Sequence, residues 1–337
     1  MMYLGLGSWR FFLAFLVAIS HLYGKMIHGP AAYAVWGFFV LSGYLMTFVL
    51  TTKYGFDSKG LKNYAFNRFL RIYPGYLVTL LLGVATLMAL HAMQIEPARL
   101  NPQFNMPQTL GQWLTNITMF PFGPQPALPV PVAGALFVEV WVYVLMPLFA
   151  RSRHSALLAL LVALAANQQY GFAVDTFGIR YSGFGTGLVA FAAGSVVCHY
   201  RTALARFSAP VLSVFVWCLH AVYWLHDKSW PWQWGILVFV PLSAWVVISL
   251  AEVKTAAMDR WLGDLSYPIY LLHTTVGAWF LVKYGYERPL KFFIASFAVT
   301  LLLSWLMVML MDRPLHGRKA RPVLDGQAKP LAKTQHS

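Results

Sequence analysis

The amino-acid sequence predicts an all-α, polytopic membrane protein with about ten transmembrane helices and both termini in the cytoplasm. Hydrophobic residues make up 59% of the 337 residues and charged residues only 11%, whereas soluble domains average about 25% charged residues. Apolar runs long enough to cross a bilayer recur along the chain. A formal net charge of +14 would suggest nucleic acid for a soluble protein. In a membrane protein, basic residues mark the cytoplasmic side, so no nucleic-acid partner is expected.

Ten apolar runs define the predicted helices. The first could be mistaken for a signal-peptide core, but only Arg10 precedes it as a charge and the cleavage signal is poor, so we expect it to be retained. The fifth and sixth runs are the weakest pair, because the connection NQQYGFAVDTFGIRYSG between them is polar and glycine-rich. In order, the runs cover residues 9–27, 32–52, 72–93, 132–150, 155–174, 183–200, 209–226, 234–252, 264–283 and 292–311.

The basic residues predict how these helices are oriented. With both termini inside, 18 of the 25 Lys and Arg residues fall on the cytoplasmic side and 7 on the outer side. We predict a transmembrane domain over residues 1–316 and a basic, disordered cytoplasmic tail over 317–337, near anionic lipid. Cys198 and Cys218 lie in apolar runs with no partner at metal spacing, so we expect free thiols and no metal site.

The stretch RFFLAFLVAISH begins with Arg10 and ends with His21, and it contains no other ionisable group. At about 1.5 Å per residue, His21 would lie roughly halfway through a hydrocarbon core about 30 Å thick. A buried imidazole can simply hydrogen-bond a neighbouring helix. It can also take up a proton near neutral pH, so His21 is a candidate general base, and both interpretations stay open from the residue alone.

The stretch RFLRIYP places Arg68 and Arg71 on one helical face at the cytoplasmic border. Two guanidinium groups in that arrangement suit a phosphate or diphosphate. Ordinary positive-inside flanking is the alternative, and spacing alone favours it. Arg10 lies at the same depth on the first helix, so three converging arginines would form an anion pocket.

Three further segments contribute candidate site residues. Glu139 stands in an apolar helix with no basic residue nearby in sequence, so its carboxylate needs either a partner from another helix or a raised pKa, and His21 is the candidate partner. Ser42 lies in GFFVLSGYL, where small residues favour close helix packing over a substrate contact. LGDLSYPIYLLH places Tyr270 and His273 on one face. His273 is either a second polar group facing a cavity or a packing histidine.

The long outer loop at residues 94–131 is rich in proline and aromatic residues, among them Trp113, and a later outer loop reads HDKSWPWQW. Aromatic residues at such places usually form an interfacial belt. The alternative is a rim on which sugar rings stack, which makes Trp113 a candidate substrate contact.

Together, and in this order, these motifs resemble the integral-membrane acyltransferase family known as acyltransferase 3. The resemblance spans residues 10–314, nearly the whole membrane domain. It rests on Arg10 with His21 eleven residues later, GFFVLSGYL, NRFLRIYP, the Glu139 segment with Tyr143 and Pro147, LGDLSYPIYLLH, and a closing acidic-basic-Pro triplet at 312–314. The family commonly has Glu in that triplet where this chain has Asp312.

The resemblance implies a membrane O-acyltransferase of the bacterial inner (plasma) membrane. It would move an acyl group, usually acetyl, from cytoplasmic acyl-coenzyme A to a hydroxyl of a cell-surface or lipid-linked glycan, with membrane lipid around it and no metal. His21 is then the catalytic histidine, with Glu139 as the partner inferred above. The residues expected to hold the co-substrate acyl-coenzyme A (acetyl-coenzyme A) are Arg10, Arg68, Arg71, Ser42 and Tyr73, and those expected near the acceptor are Tyr270, His273 and Trp113.

A secondary transporter of a small anionic or sugar solute is the alternative, because transporters also place polar groups at the membrane midplane. Transporters tend to show internal repeats and helices broken at matching places. Neither feature is found in this sequence, which therefore favours the acyltransferase.

Overall fold

A computed structural model describes residues 5–27, 29–122, 127–171, 177–227 and 229–324. Within these ranges the protein has helices and no strand, which confirms the predicted all-α class. In chain order the α-helices are α1 Leu6–Leu22, α2 Ala31–Val49, α3 Ser58–Ala92, α4 Leu110–Thr118, α5 Ala133–Phe149, α6 Arg153–Gln169, α7 Phe177–Ser182, α8 Phe184–His199, α9 Arg201–Leu204, α10 Pro210–Val222, α11 Ile236–Ala251, α12 Ala257–Tyr284, α13 Leu290–Met307 and α14 Arg313–His316. Short π-helical segments adjoin three of them, at Leu50–Tyr54, Pro231–Gly235 and Val308–Asp312.

Several helices are long and apolar enough to cross a membrane. Among the described residues there are five such helices: Ala31–Tyr54, Ser58–Ala92, Gln233–Ala251, Ala257–Tyr284 and Leu290–Leu315. A further pair, α8 with Arg201–Phe207, passes the same test but is bent by 83°. Shorter apolar helices are α1, α5 and α10. The chain is a multi-pass membrane protein, while the count of about ten spans and the cytoplasmic placement of both termini stay predictions.

Two helices begin well before the apolar runs that predicted them. α3 starts at Ser58, 14 residues ahead of the run at 72, because the side chain of Asp57 caps it and accepts the N–H of Gly60 at 3.0 Å. α12 starts at Ala257, seven residues ahead of the run at 264. Hydropathy misses such extensions because charged and polar residues interrupt their apolar ones, as SKGLKNYAFNRFLR and AMDRWLG show.

α1 and α12 pack side by side and run in the same direction. At the start of α1, the Asp259 carboxylate of α12 accepts hydrogen bonds at 2.7 to 3.2 Å from the N–H groups of Gly5, Gly7 and Ser8 and from the Ser8 hydroxyl. At the other end, Leu22 of α1 contacts α12 at Gly277. Gly7 permits the close approach, because a Cβ there would lie 1.9 Å from the Asp259 carbonyl oxygen. These contacts fix the register between the two helices.

α2 packs closely against α8 at Gly43, where a Cβ would lie 2.0 Å from the carbonyl oxygen of Phe191. The hydroxyl of Thr47 donates to Ser195 of α8 at 2.8 Å. The predicted close helix packing of GFFVLSGYL is therefore confirmed at its second glycine. The largest hydrophobic cluster surrounds this contact and includes the fully buried Trp36.

The C-terminal strap, residues 317–324, lies against α3, although the sequence predicted a disordered tail from 317 onward. Five hydrogen bonds hold it: two between Asn67 and Ala320, one from Asn63 to Arg321, and two from the N–H groups of Val323 and Leu324 to the Lys53 carbonyl oxygen. The side chains of Asn63 and Asn67 form hydrogen bonds with backbone groups of the strap. Such contacts cannot be predicted from the composition of the tail. The rest of the predicted tail, residues 325–337, lies outside the described residues.

Candidate active site

A cavity of about 130 Å³ lies between α1, α2, α3, α5 and α12. Four ionisable side chains carry its charge: Arg10 from α1, Arg68 and Arg71 from α3, and Glu139 from α5. The structure thus brings the three predicted arginines together. We call this space the arginine cavity.

Each arginine has a different environment. One Nη atom of Arg10 donates to the carbonyl oxygen of Gly263 at 2.9 Å. Nη1 of Arg71 lies 3.6 Å from the carboxylate of Asp312. Nε of Arg68 is buried and has no hydrogen-bond partner among the described residues. Since an unpaired buried donor is costly, Arg68 is suited to an anionic ligand.

Glu139 accepts two hydroxyl hydrogen bonds inside the arginine cavity. Its Oε1 accepts from the Ser42 hydroxyl at 2.9 Å and from the Tyr143 hydroxyl. Tyr143 is four residues after Glu139, which places both on one face of α5. That spacing is the signal in the sequence that assigns Tyr143 to the site beside Glu139.

His21 lies in the last turn of α1, about three helical turns beyond Arg10 and on the same face. Its Nδ1 lies 3.0 Å from Nε2 of His273 on α12, and the ring planes are within 12° of parallel. Nδ1 of the fully buried His273 lies 3.0 Å from the carbonyl oxygen of Ile269. The parallel packing of α1 and α12 brings the two imidazoles together.

These contacts assign the protons of the neutral histidine pair. A carbonyl oxygen only accepts, so Nδ1 of His273 is the donor to Ile269. Its Nε2 then carries a lone pair, and Nδ1–H of His21 donates to it. The proton of His21 therefore resides on Nδ1. Nε2 of His21 keeps its lone pair and can act as a base.

A comparison with protein-family models identifies the family of this chain. The sequence profile of an acyltransferase domain matches residues 3–309, a range that includes the arginine cavity and both histidines. The chain belongs to the acyltransferase 3 family. Searches of curated proteins and of solved structures found no match. The predicted resemblance is confirmed, and the protein is a membrane acyltransferase.

In the described part of this acyltransferase, His21 is not paired with Glu139 as predicted. His21 is hydrogen-bonded to His273, whereas Glu139 binds Ser42 and Tyr143. The reason is their separation, since Glu139 lies beside Arg10 and His21 lies about 16 Å further along α1. The residue that orients His21 is His273, for which the sequence had left both a cavity role and a packing role open.

Tyr270 links the arginine cavity of the acyltransferase to the histidine pair. Its ring lines the cavity, with its centroid 6.3 Å from that of His273 and 6.2 Å from that of Phe38. Its hydroxyl donates to the carbonyl oxygen of Val132 at 2.9 Å. The aromatic ring of Tyr270 therefore lines the cavity, while its hydroxyl hydrogen-bonds to the start of α5 and stabilises the packing of α5 against α12.

Two predicted ligand contacts lie elsewhere in the acyltransferase. The hydroxyl of Tyr73 donates to the carbonyl oxygen of Thr118 at 2.6 Å. Tyr73 follows Arg71 by two residues, about 200° around a helix, so it faces away from the arginine cavity.

Trp113 is half-buried in α4, and a neighbouring cavity is lined by Gln112 instead. Tyr73 is thus not part of the cavity, and the substrate role of Trp113 stays a prediction.

That neighbouring space, the loop cavity, measures about 740 Å³ and lies between the end of α3 and the segment that follows it. Apolar side chains such as Phe104 and Met106 form part of its lining. Its polar lining residues are His91, Glu96, Asn105, Gln108 and Gln112.

Arg288, between α12 and α13, is a site residue that sequence reasoning missed. Its Nη1 donates to the carbonyl oxygen of His21 at 2.7 Å, and its own carbonyl oxygen accepts the N–H of Gly24 at 2.8 Å. Arg288 therefore holds the end of α1 that carries His21. In the sequence it counts only as a loop charge, because no local motif links residue 288 to residue 21.

Proposed function

We propose that the protein transfers an acyl group, expected to be acetyl, from acyl-coenzyme A to a hydroxyl of a cell-surface or lipid-linked glycan in a bacterial inner membrane. The observation that carries the proposal is the placement of Arg10 and His21 on one face of α1. Arg10 lines a basic cavity, and His21 offers a base about 16 Å further along the helix. This separation fits an acyl donor whose phosphates bind in the arginine cavity at one end and whose thioester reacts near His21 at the other end.

The chemistry of the arginine cavity supports a phosphate-bearing donor. Three guanidinium groups face one carboxylate, that of Glu139, so the lining carries net positive charge. Nε of Arg68 adds a buried donor without a partner among the described residues. Guanidinium groups bind phosphate oxygens through paired donors. Coenzyme A supplies a diphosphate for the arginines and a thioester at the end of a flexible arm.

The histidine pair supports base catalysis. A sugar hydroxyl has a pKa far above 7, so it needs a base as its oxygen attacks the acyl carbon. His21 takes that proton on Nε2, while its Nδ1–H stays bonded to His273. The proton then passes from His21 to the sulfur as the carbon–sulfur bond breaks. The hydroxyl becomes an ester and the thioester becomes a thiol, so the atoms balance.

The loop cavity supports a sugar acceptor. Its amide side chains Asn105, Gln108 and Gln112 can donate and accept hydrogen bonds, as sugar hydroxyls require. The segment around it is tied to the histidine pair, because Arg288 donates to the carbonyl oxygens of both His21 and Leu100. An acceptor bound by these loops would therefore lie near the end of α1.

The experiment that tests this function measures acyl esters on the glycans of cells producing the wild type or a variant, by mass spectrometry. The variants are His21→Ala and, as a matched control, His154→Ala, which removes an exposed imidazole from α6. We expect esters with the wild type and with His154→Ala and none with His21→Ala. Equal glycan acylation in all three strains would contradict the proposal.

A further inference from the structure

Lys319 belongs to the C-terminal strap but lies beside the arginine cavity. Asn67, the residue before Arg68, binds Ala320, the residue after Lys319, through two hydrogen bonds. Its Nδ2 donates to the Ala320 carbonyl oxygen at 3.0 Å, and its Oδ1 accepts the Ala320 N–H at 2.9 Å. This double contact places the backbone of Lys319 next to the first turn of the RFLR motif.

The charges around Lys319 favour an anion. Burial and the neighbouring guanidinium groups of Arg71 and Arg68 lower the pKa of the Lys319 ammonium group, against the opposite influence of Asp312 and Asp264. Three cationic side chains gathered at one place repel one another. Phosphate oxygens between them would relieve that repulsion and could accept hydrogen bonds from all three.

Hydrogen bonds to α3 position the strap. Asn67 is 2% exposed and also binds the Tyr54 hydroxyl at 2.7 Å, so its amide is fixed in place. Beyond Ala320, the strap continues over α3 through the contact of Asn63 with the Arg321 carbonyl oxygen at 3.1 Å. Because the strap backbone is held at Ala320 and Arg321, binding of a ligand to Lys319 costs less free energy for ordering the strap.

We propose that Lys319 is a fourth basic ligand of the donor site and binds the 3′-phosphate of coenzyme A. This proposal rests on the proposed function. The thioester end of the donor has to point along α1 toward His21, which leaves the nucleotide end at the mouth of the arginine cavity. There Arg68 and Arg71 on α3 take the diphosphate, and Lys319 on the strap takes the remaining phosphate.

The test compares coenzyme A with dephospho-coenzyme A, which lacks only the 3′-phosphate. Calorimetric titration of the purified full-length protein in detergent gives both affinities. The wild type should bind coenzyme A about tenfold more tightly than dephospho-coenzyme A, as one charged hydrogen-bonding contact provides. Lys319→Gln should bind coenzyme A as weakly as dephospho-coenzyme A, with the affinity for dephospho-coenzyme A unchanged. The matched control Arg318→Gln, one residue earlier and exposed, should behave as the wild type.

A second variant, Asn67→Ala, tests the strap without touching the charge. It should lose the preference for coenzyme A over dephospho-coenzyme A, and trypsin should cleave after Lys319 faster than in the wild type. The inference would be overturned if Lys319→Gln still bound coenzyme A more tightly than dephospho-coenzyme A. It would also be overturned if Arg318→Gln lost as much affinity for coenzyme A as Lys319→Gln. Either result would leave the proposed function standing. Failure of the wild type to bind either compound would instead overturn the proposed function, and the inference with it.

Discussion

Nδ1 of His21 and Nε2 of His273 lie 3.0 Å apart on two parallel helices, although 252 residues separate them in sequence. Because His273 donates its own Nδ1–H to Ile269, the pair selects one tautomer of His21 and leaves Nε2 as the basic atom. A base held by an orienting group is the general arrangement of acid–base catalysis in proteins. Here the orienting group is a second imidazole and not the carboxylate that the sequence suggested.

His273→Leu should lower kcat on the order of 10²-fold, because Nδ1–H of His21 loses its acceptor and the imidazole loses its orientation. The KM for acyl-coenzyme A should stay the same, since His273 does not line the arginine cavity. His273→Gln, which retains an accepting oxygen, should keep more activity than the leucine variant. Initial rates in proteoliposomes measure both constants. Equal kcat values for the two variants would mean that His273 only packs.

Glu139→Gln and Tyr143→Phe should be strongly coupled, because the first removes the charge of the acceptor and the second removes the donor of the same hydrogen bond. The double variant should be little worse than the more damaged single variant in kcat/KM. Glu139→Gln combined with His273→Gln should instead multiply the two losses, since these residues lie in different parts of the site. Coupling between Glu139 and His273 in that double-mutant cycle would contradict the separation of the two groups.

Arg68→Lys and Arg71→Lys should each weaken coenzyme A binding by about 1–3 kcal/mol, because lysine keeps the charge but loses the paired donors. Arg153→Lys is the matched control, as Arg153 is exposed at the start of α6. Calorimetric titration of the purified variants measures the effect. If lysine binds coenzyme A as well as arginine at both positions, these arginines only set the topology.

Asp259→Ala should destabilise the protein by about 1–3 kcal/mol, because three N–H groups and one hydroxyl at the start of α1 lose their acceptor. Thermal unfolding in detergent measures the change in Tm. Glu287→Ala, which removes an exposed carboxylate from the loop after α12, should leave Tm unchanged. An Asp259→Ala protein with wild-type Tm would show that the contact does not stabilise the packing of α1 on α12.

The fold class, and the features that depend on a single helix, could be predicted from the sequence. Apolar runs indicate membrane helices directly, and Arg68 with Arg71 share a face because they are three residues apart. The starts of α3 and α12 were missed because polar and charged residues interrupt the apolar ones in those segments. The strap was missed because its order depends on the side chain of Asn67, far away in sequence.

The partner of His21 could not be predicted for a related reason. It depends on the register between α1 and α12, which Asp259 and Gly7 set at the opposite end of the contact. Glu139 was a reasonable choice by residue type, because it is an apolar-helix carboxylate without a neighbour in sequence. Only the positions of the helices show that it lies with Arg10 rather than with His21.

The most direct measurement follows acetyl transfer by the purified protein in proteoliposomes, with acetyl-labelled acetyl-coenzyme A as donor and the glycan fraction of producing cells as acceptor. Both glycan labelling and release of the coenzyme A thiol are recorded for the wild type, His21→Ala and the control His154→Ala. The wild type and the control should transfer at the same rate, and His21→Ala at about one hundredth of it or less, with coenzyme A affinity unchanged. Undiminished transfer by a folded His21→Ala protein would contradict base catalysis by His21.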